Sequence, residues 1–511
     1  MNNRLKFLIL FFLSFSVYAQ PGDPGGDPPG GEPVATEEYI FRPDELSIIR
    51  LTLSPEDKAF LLDPDNAESE VYLPAVFEMS NSQMDTTLSF TVGVRLRGNT
   101  SRYHNKKPFK IDFREFGGEK FFGYKKFNLK SNVNDPSQVR EPLTLLYYRE
   151  MGVPAARTHP LRLYMNDEYM GVYSNVEQID DEFLDLRYGH EDGFLYKCFY
   201  GANLLDNGQV FNTGMYESEI NTDLDTRAEL DHFVGILNNT ATSNFPTEIE
   251  KVFEVDRYLR QLAVEAMLGH WDGYSYNQNN YYLFYNGQTG KIEFIPYDVD
   301  NTWGIDWLGK DWATRDLNNW AKTDQPRPLT TRILSITTYR KKYETYLSTL
   351  AEKYFREDYL IPKLDLYKAI LDEAIQEDTY FDDTFGFTYT DFLNSFTEGM
   401  DNHVTYGIME YLQVRTQAAL EQRPDLITAV DNDPSLVSQV YPNPSHSPKI
   451  YISTNHIPTV NPIVYSSTGQ EIPVQINYLD NQRAELSLPN ELPFGLYIIQ
   501  FNNTLHRWIY H

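Results

Sequence analysis

Cysteine is all but missing, since Cys198 is alone in 511 residues. One thiol cannot close a disulfide within the chain, so the fold must rest on a packed core, which this length can supply across two or three domains. A lone thiol of this kind reads as a buried apolar group rather than a nucleophile. Histidine pairs of the H-E-x-x-H type and G-x-S-x-G elbows are absent too, which excludes the common zinc and serine hydrolase designs. Gly118 to Lys125 has P-loop spacing but lacks the Lys-Ser/Thr ending that would grip a phosphate. Positive charge is scarce: 44 Lys and Arg against 73 Asp and Glu leave a net charge of −29. Such a surface repels nucleic acid and anionic lipid, so no nucleic-acid partner is expected. Beyond the N-terminus no charge-free apolar run is long enough to cross a bilayer, so no membrane span is expected.

What is present starts at the N-terminus. Arg4 and Lys6 precede an apolar run from Phe7 to Phe15, and Val17-Tyr18-Ala19 supplies a cleavage signal before Gln20. Residues 1–19 read as a secretory signal peptide, with no cysteine after the cut to carry a lipid. Residues 20–38, rich in Pro, Gly, Asp and Glu, read as a disordered linker. Arg95 to Lys110 then carries several Arg and Lys and no acidic residue, and in so acidic a chain this predicts an anion site.

Strand alternation follows at Thr91–Arg97, around Phe109, Ile111 and Phe113, and at Lys126–Lys130, with Gly98-Asn99-Thr100 as turn material. Asp135-Pro136 predicts a helix start running to Met151, kinked by Pro142 unless the helix begins there. Strands Leu161–Met165 and Gly171–Val176 come next. The order of strand, glycine turn, strand, lysine strand, glutamate helix and two strands resembles the small lobe of a protein kinase. Glu248–Gly269 predicts one helix, Tyr281–Tyr285 and Lys291–Tyr297 a hairpin, and Leu329–Leu420 a mainly helical region. Short strands after about residue 435 predict a small all-β unit.

The densest chemistry lies in Phe294–Gly304. Read as a strand end, it puts Phe294, Pro296, Asp298 and Asp300 on one face. Two carboxylates so spaced, followed by Asn301 and Gly304, suit a hard divalent cation. Upstream, His270-Trp271-Asp272 through Asn277 reproduces the H-x-D-x-x-x-x-N spacing of a kinase catalytic loop. The plain alternatives are a structural calcium loop for D-x-D-N-x-x-G and a turn-capping role for Asp272.

Several motifs occur in one order: Arg95-x-Arg97-Gly98-Asn99-x-Ser101, Phe127-Asn128-Leu129-Lys130, Val139-Arg140-Glu141-Pro142-Leu143, Leu163-Tyr164-x-Asn166 through Gly171-Val172-Tyr173, and Trp271-Asp272-Gly273 leading to Pro296-x-Asp298-x-Asp300. Together they resemble the CotH (spore coat protein H) kinase family over about residues 45–425. The resemblance implies an α+β, atypical bilobal protein-kinase-like fold over 39–428, with a small lobe at about 45–178 and a large lobe at about 179–428. It also implies use of ATP and a divalent metal, Mg²⁺ or alternatively Mn²⁺ or Ca²⁺, to phosphorylate proteins. Tyr441-Pro442-Asn443-Pro444, Val464-Tyr465 with Thr468-Gly469-Gln470, and Pro493-x-Gly495-x-Tyr497 make residues 435–511 similar to a type IX secretion sorting domain. That implies a sandwich-like all-β tail, the type IX machinery as a partner, and a secreted or cell-surface destination.

On this resemblance Asp298 is the metal-binding acid, shared with Asp300, and Asp272 orients the acceptor hydroxyl and takes its proton. Asn280 is the preferred metal-binding amide, with Asn277 second. Lys130 holds the nucleotide phosphates, paired with Glu141 or Glu150. Arg97, Gly98, Asn99 and Ser101 form the phosphate-covering turn. Glu177 and Gln178 present backbone groups to adenine. The expected acceptor is a hydroxyl, Ser or Thr, of a surface or exported protein. A glycan or small-molecule acceptor, and a non-catalytic binding or adhesion module of the same fold, remain as alternatives.

Overall fold

A computed structural model describes residues 40–84, 89–400 and 402–423, and residues 438–510 with breaks at 442–446, 455–461, 467–470, 480–482, 490–491, 494 and 502–503. The expected signal peptide and linker lie outside these residues, as do Pro442-Asn443-Pro444 and Thr468-Gly469-Gln470.

Seven strands close into a barrel: β1 (Ser47–Thr52), β2 (Leu73–Ser80), β3 (Phe90–Leu96), β4 (Phe109–Asp112), β5 (Lys126–Lys130), β6 (Thr158–Met165) and β7 (Glu168–Val176), in the order β1-β2-β3-β4-β5-β7-β6. Antiparallel pairing of β1 with β2 and parallel pairing with β6 complete the circuit. Alternation sends Ile49, Leu51, Phe77, Val92, Val94, Ile111, Phe127, Leu129, Leu161 and Leu163 into one shared core, as the two-residue period requires. Phe77, Phe113 and Phe127 meet edge to face with centroids 5.0–6.0 Å apart. The outward face of β3, β4 and β5 aligns Arg95, Lys110 and Asn128 across the ladder. β1 and β2 lie before the first strand expected from the sequence, at Thr91, and with them the sheet closes into a barrel.

A short helix, α1 (Pro55–Leu62), links β1 to β2, and α2 (Arg140–Glu150) links β5 to β6. The expected start of α2 at Asp135-Pro136 is corrected to Arg140. Asp135 caps from a distance: its carboxylate accepts the Arg140 N–H at 2.8 Å and the Ser137 N–H at 2.9 Å. Pro142 then falls in the first turn, where N–H groups have no partner within the helix, so it causes no kink.

Beyond α3 (Asp181–Tyr188), strands β8 (Gly193–Cys198), β9 (Tyr216–Ser218), β10 (Tyr281–Asn286) and β11 (Lys291–Pro296) form a sheet in the order β11-β10-β8-β9. Around it lie α4 (Ala228–Asn239), α5 (Phe245–Val252), α6 (Val255–Leu268), the single turn α7 (Tyr274–Asn277), α8 (Pro328–Ser335), α9 (Thr337–Lys353), α10 (Glu357–Gln376), α11 (Tyr389–Asn394) and α12 (Ile408–Gln422). Trp303, Trp312 and Trp320 are buried among them. The single helix expected over Glu248–Gly269 is two, α5 and α6. Phe253 goes extended to bridge Ile292, and the Glu254 N–H donates to the Ile292 carbonyl at 3.0 Å, so pairing with β11 overrides local helix propensity. The C-terminal strands β12 (Ser438–Tyr441), β13 (Lys449–Thr454), β14 (Ile463–Ser466), β15 (Glu471–Ile472), β16 (Gln475–Tyr478), β17 (Arg483–Ser487), β18 (Gly495–Phe501) and β19 (Thr504–Tyr510) make two four-stranded sheets, β12-β13-β17-β16 and β15-β14-β18-β19. Ile450, Ile452, Leu486, Val464, Ile499 and Trp508 join them in one apolar cluster.

One ion pair ties the barrel to the helical part. Lys106 Nζ lies 2.6 Å from Asp378 Oδ2, with both side chains buried completely. Asp378 also accepts the Val172 N–H at 2.9 Å. Gly171 makes room for it, because a Cβ there would sit 2.3 Å from the Asp378 carboxylate oxygens. Removing one partner leaves an uncompensated buried charge, so Asp378→Asn or Lys106→Met should each destabilise the fold by about 3–5 kcal/mol. Chemical denaturation reads this, and the Lys106→Met/Asp378→Leu double variant should cost much less than the sum of its parts.

Candidate functional site

Strand β5 puts Lys130 on the outward face of the barrel, and the first turn of α2 brings Glu141 beneath it. Lys130 Nζ stands 2.7 Å from Glu141 Oε2 and 2.5 Å from Asp298 Oδ1. Glu150 sits at the far end of α2, where its carboxylate accepts the Tyr359 hydroxyl proton at 2.9 Å, so of the two glutamates only Glu141 meets Lys130. Burial works against the Lys130 charge, but the Asp298, Glu141 and Asp300 carboxyls override it and hold its pKa well above the usual lysine range. Burial also opposes ionisation of Asp298, and there the Lys130 ammonium wins and keeps the pKa below the ordinary value. Asp300 goes the other way: burial, with Asp298, Glu141 and Asp272 nearby, raises it well above normal despite Lys130.

The strand expected to carry Asp298 and Asp300 on one face ends earlier, at Pro296. Asp298 has φ +50°, in the left-handed region that non-glycine residues seldom occupy. That turn, and not strand alternation, brings both acids to Lys130.

Asp272 lies on the loop between α6 and α7, inside a cage of amides. Its Oδ1 accepts Asn277 Nδ2 at 2.5 Å and Asn279 Nδ2 at 3.4 Å; its Oδ2 accepts Asn280 Nδ2 at 3.0 Å and Asn301 Nδ2 at 3.3 Å. Burial raises its pKa to about 6, Asp298 adds to the rise, and the amides oppose it. Asn277 and Asn280 therefore both reach Asp272, and Asn280 is further fixed where its carbonyl accepts the Tyr297 N–H at 3.2 Å. His270 is buried with both ring nitrogens lacking a hydrogen bond, and burial pulls its pKa down to about 4. Gly273 closes against it, since a Cβ there would lie 3.0 Å from the ring.

Arg97 donates to the Tyr297 hydroxyl at 3.1 Å, so the turn after β3 reaches the residue before Asp298. Gly98 has φ +84°, and a Cβ on it would meet Ser101 Oγ at 2.4 Å; Asn99 is exposed. The rest of the basic stretch does not form the expected anion site. Arg95 pairs with Glu70, Arg102 with Glu70 at 2.9 Å, Lys106 with Asp378, and Lys107 Nζ donates to the Arg102 carbonyl at 2.8 Å. Lys110 faces a cavity of about 300 Å³, together with Lys126, Gln178 and Glu219. Burial, then Lys126, Arg95 and Arg97, lower its pKa to about 8.

The side chain and N–H of Glu177 are already engaged. Its carboxylate is buried against Arg157 and Arg187, at 2.9 Å from Arg187 Nη2, and its N–H donates to the Arg157 carbonyl at 2.9 Å. Among the described residues the only trio of acids close enough to share an ion is Asp180, Asp181 and Glu182. Lys125 and Lys120 already pair with two of the three, Asp181 and Glu182. A cation at Asp298 and Asp300 would thus need amide or substrate oxygens to fill its shell.

Sequence reasoning missed Asn279 and Asn301 in the cage. Their signal was the crowding of asparagine in 277–280 and the Asn directly after Asp300. It also missed Glu265 beneath the loop, a buried acid that accepts Trp320 Nε1 at 3.0 Å and Gln261 Nε2 at 2.7 Å.

The CotH kinase protein family model matches residues 94–419. Inner spore coat protein H of Bacillus subtilis is 28% identical over 297 residues, covering 57% of this chain and 78% of that protein. Spore coat protein homolog 1 of Rhizopus delemar is 24% identical, covering 75% of this chain and 65% of its own length. Invasin CotH7 of the same fungus is 24% identical, covering 54% and 48%. The chain thus spans between about half and two thirds of the two fungal proteins. The crystal structure of the Helicobacter pylori proinflammatory kinase CtkA aligns over 67% of this chain and 95% of that one, at 9% identity and a TM-score of 0.21, too low to carry an argument.

Burial raises the Glu265 pKa to about 7 from the ordinary 4.5. The folded state therefore holds a proton that the unfolded chain releases, and stability falls as pH rises from about 4.5 through 7. The loss should reach about 3 kcal/mol. Denaturation at pH 5 and pH 8 should show it, and Glu265→Gln should flatten the difference.

Proposed function

The chain belongs to the CotH kinase protein family, and on that premise we propose that it is an exported, ATP- and divalent-metal-dependent kinase with a bilobal kinase-like arrangement. The observation that carries this reading is the Lys130 ammonium held between Glu141 and Asp298, at 2.7 and 2.5 Å, with Asp300 also close enough to act on it. In the reaction the oxygen of an acceptor hydroxyl, Ser or Thr on a surface or exported protein, bonds to the γ-phosphorus of ATP as the bond to ADP breaks. Asp272 orients that hydroxyl and receives its proton, a task suited to a carboxylate with a pKa near 6. One amide donor must then leave, because the four lone-pair sites of the carboxylate are all engaged. Lys130 holds the phosphates, and Arg97 with the Gly98–Ser101 turn covers them.

The donor set fits a hard cation: two carboxylates, of which Asp300 has no hydrogen-bond donor among the described residues, beside several amide oxygens. Mg²⁺, or Mn²⁺ or Ca²⁺ in its place, would offset charge on the nucleotide phosphates. Asp298 and Asp300 would hold it, with Asn280 or Asn277. The N-terminal signal and the tail motifs support export through a type IX route to the surface.

A second reading, a non-catalytic surface binder, is favoured by one observation: some relatives carry the name invasin. A structural calcium loop, however, has no use for a lysine pressed onto its first acid, and Lys130 argues for a phosphate.

Asp298→Asn should lower transfer of labelled phosphate from ATP to surface-extract proteins at least about 100-fold, and a variant that transfers normally would sink the kinase reading. Asp272→Asn should cost about 10²–10⁴-fold in turnover while ATP with Mg²⁺ still raises the melting temperature. Stabilisation by Ca²⁺ alone, without nucleotide, would favour the binder.

A further inference from the structure

Of the amides around Asp272, Asn301 has a polar atom left over. Its Nδ2 donates to Asp272 Oδ2 at 3.3 Å. Chemistry fixes that orientation, because an ionised carboxylate only accepts and would repel an amide oxygen. The oxygen therefore faces away from Asp272. It is buried and has no donor among the described residues, on a residue 8% exposed. Unpaired buried carbonyl oxygens are uncommon and call for an explanation, an absent ion among them. Asn277, Asn279 and Asn280 donate to the same carboxylate, yet none of them leaves an oxygen buried and unpartnered. The carboxylate of Asp300, the preceding residue, also receives no hydrogen bond among the described residues. Negative charge is in excess here: Asp272, Asp298 and Glu141 all act on Asp300, with Lys130 as the close counter-charge.

We propose that Asn301 Oδ1 is a ligand of the divalent cation, completing with Asp298 and Asp300 an oxygen site that the same amide ties to Asp272 through its Nδ2. This rests on the metal-dependent reading above and goes beyond it in the ligand it names. The side chain has two distinct jobs on its two ends, and substitutions can separate them. Asn301→Ala removes both the oxygen and the donor. Asn301→Asp keeps an oxygen while losing the donor to Asp272.

The test is Mn²⁺ binding to the full chain without nucleotide, followed by calorimetry and by the electron paramagnetic resonance signal of free Mn²⁺. Asn301→Ala should weaken Mn²⁺ binding at least tenfold, and Asn301→Asp should bind within about threefold of the unsubstituted protein or more tightly. Wild-type affinity in both variants would overturn the proposal and leave Asn301 as a support for Asp272. Equal loss in both would overturn it as well, since the donor would then be what matters. Melting temperatures report folding, and Asn301→Ser replaces the alanine variant if that one fails to fold. An unsubstituted protein that takes up no Mn²⁺, indistinguishable from Asp298→Asn, would remove the metal-dependent reading itself and this inference with it.

Discussion

A single ammonium organises this molecule's chemistry. Lys130 comes from the barrel, Glu141 from the helix that follows it, and Asp298 from the end of the hairpin in the second sheet. These three parts of the chain meet because one buried positive charge needs counter-charge, and the carboxylates need it in return. Burial alone would neutralise such groups; Lys130 and Asp298 hold each other charged. The positive φ of Asp298 is a local cost that this contact helps to justify, since a relaxed strand end would aim the carboxylate elsewhere.

Around that contact the site is arranged by polarity. Asp272 is surrounded by neutral amides rather than by cations, so its basicity is governed by burial and by the nearby acid. Arg97 touches Tyr297 instead of a carboxylate, which leaves most of its guanidinium available to an incoming anion. Arg95, Arg102, Lys106 and Lys107 of the basic stretch are spent on structure, most completely at Lys106 and Asp378.

Local features of the site were legible in the chain. Lys130, Glu141, Asp272, Asp298 and Asp300 each stand in a short motif whose spacing carries chemistry, and the glycines beside them mark turns. The structure brings these side chains to one place. What could not be read depends on distant partners. The acids that quench Arg95 and Lys106 lie at Glu70 and Asp378, invisible to a reading of the stretch by itself. Strand alternation misdescribed residues 298–300 because a backbone reversal, not a pleat, sets their direction. The helix break at Phe253 follows from pairing with Ile292, and β1 and β2 have meaning only through closure against β6. Asn301 was quoted as part of a motif, but its role needs the Asp272 loop.

The closed barrel has a consequence for how this protein can meet others. Its seven strands leave no row of unpaired N–H and C=O groups, so another chain cannot extend that sheet by adding a strand. Recognition at the barrel must go through side chains and loops. Stacking of sheet edges, a common route to insoluble assemblies, has no starting point there.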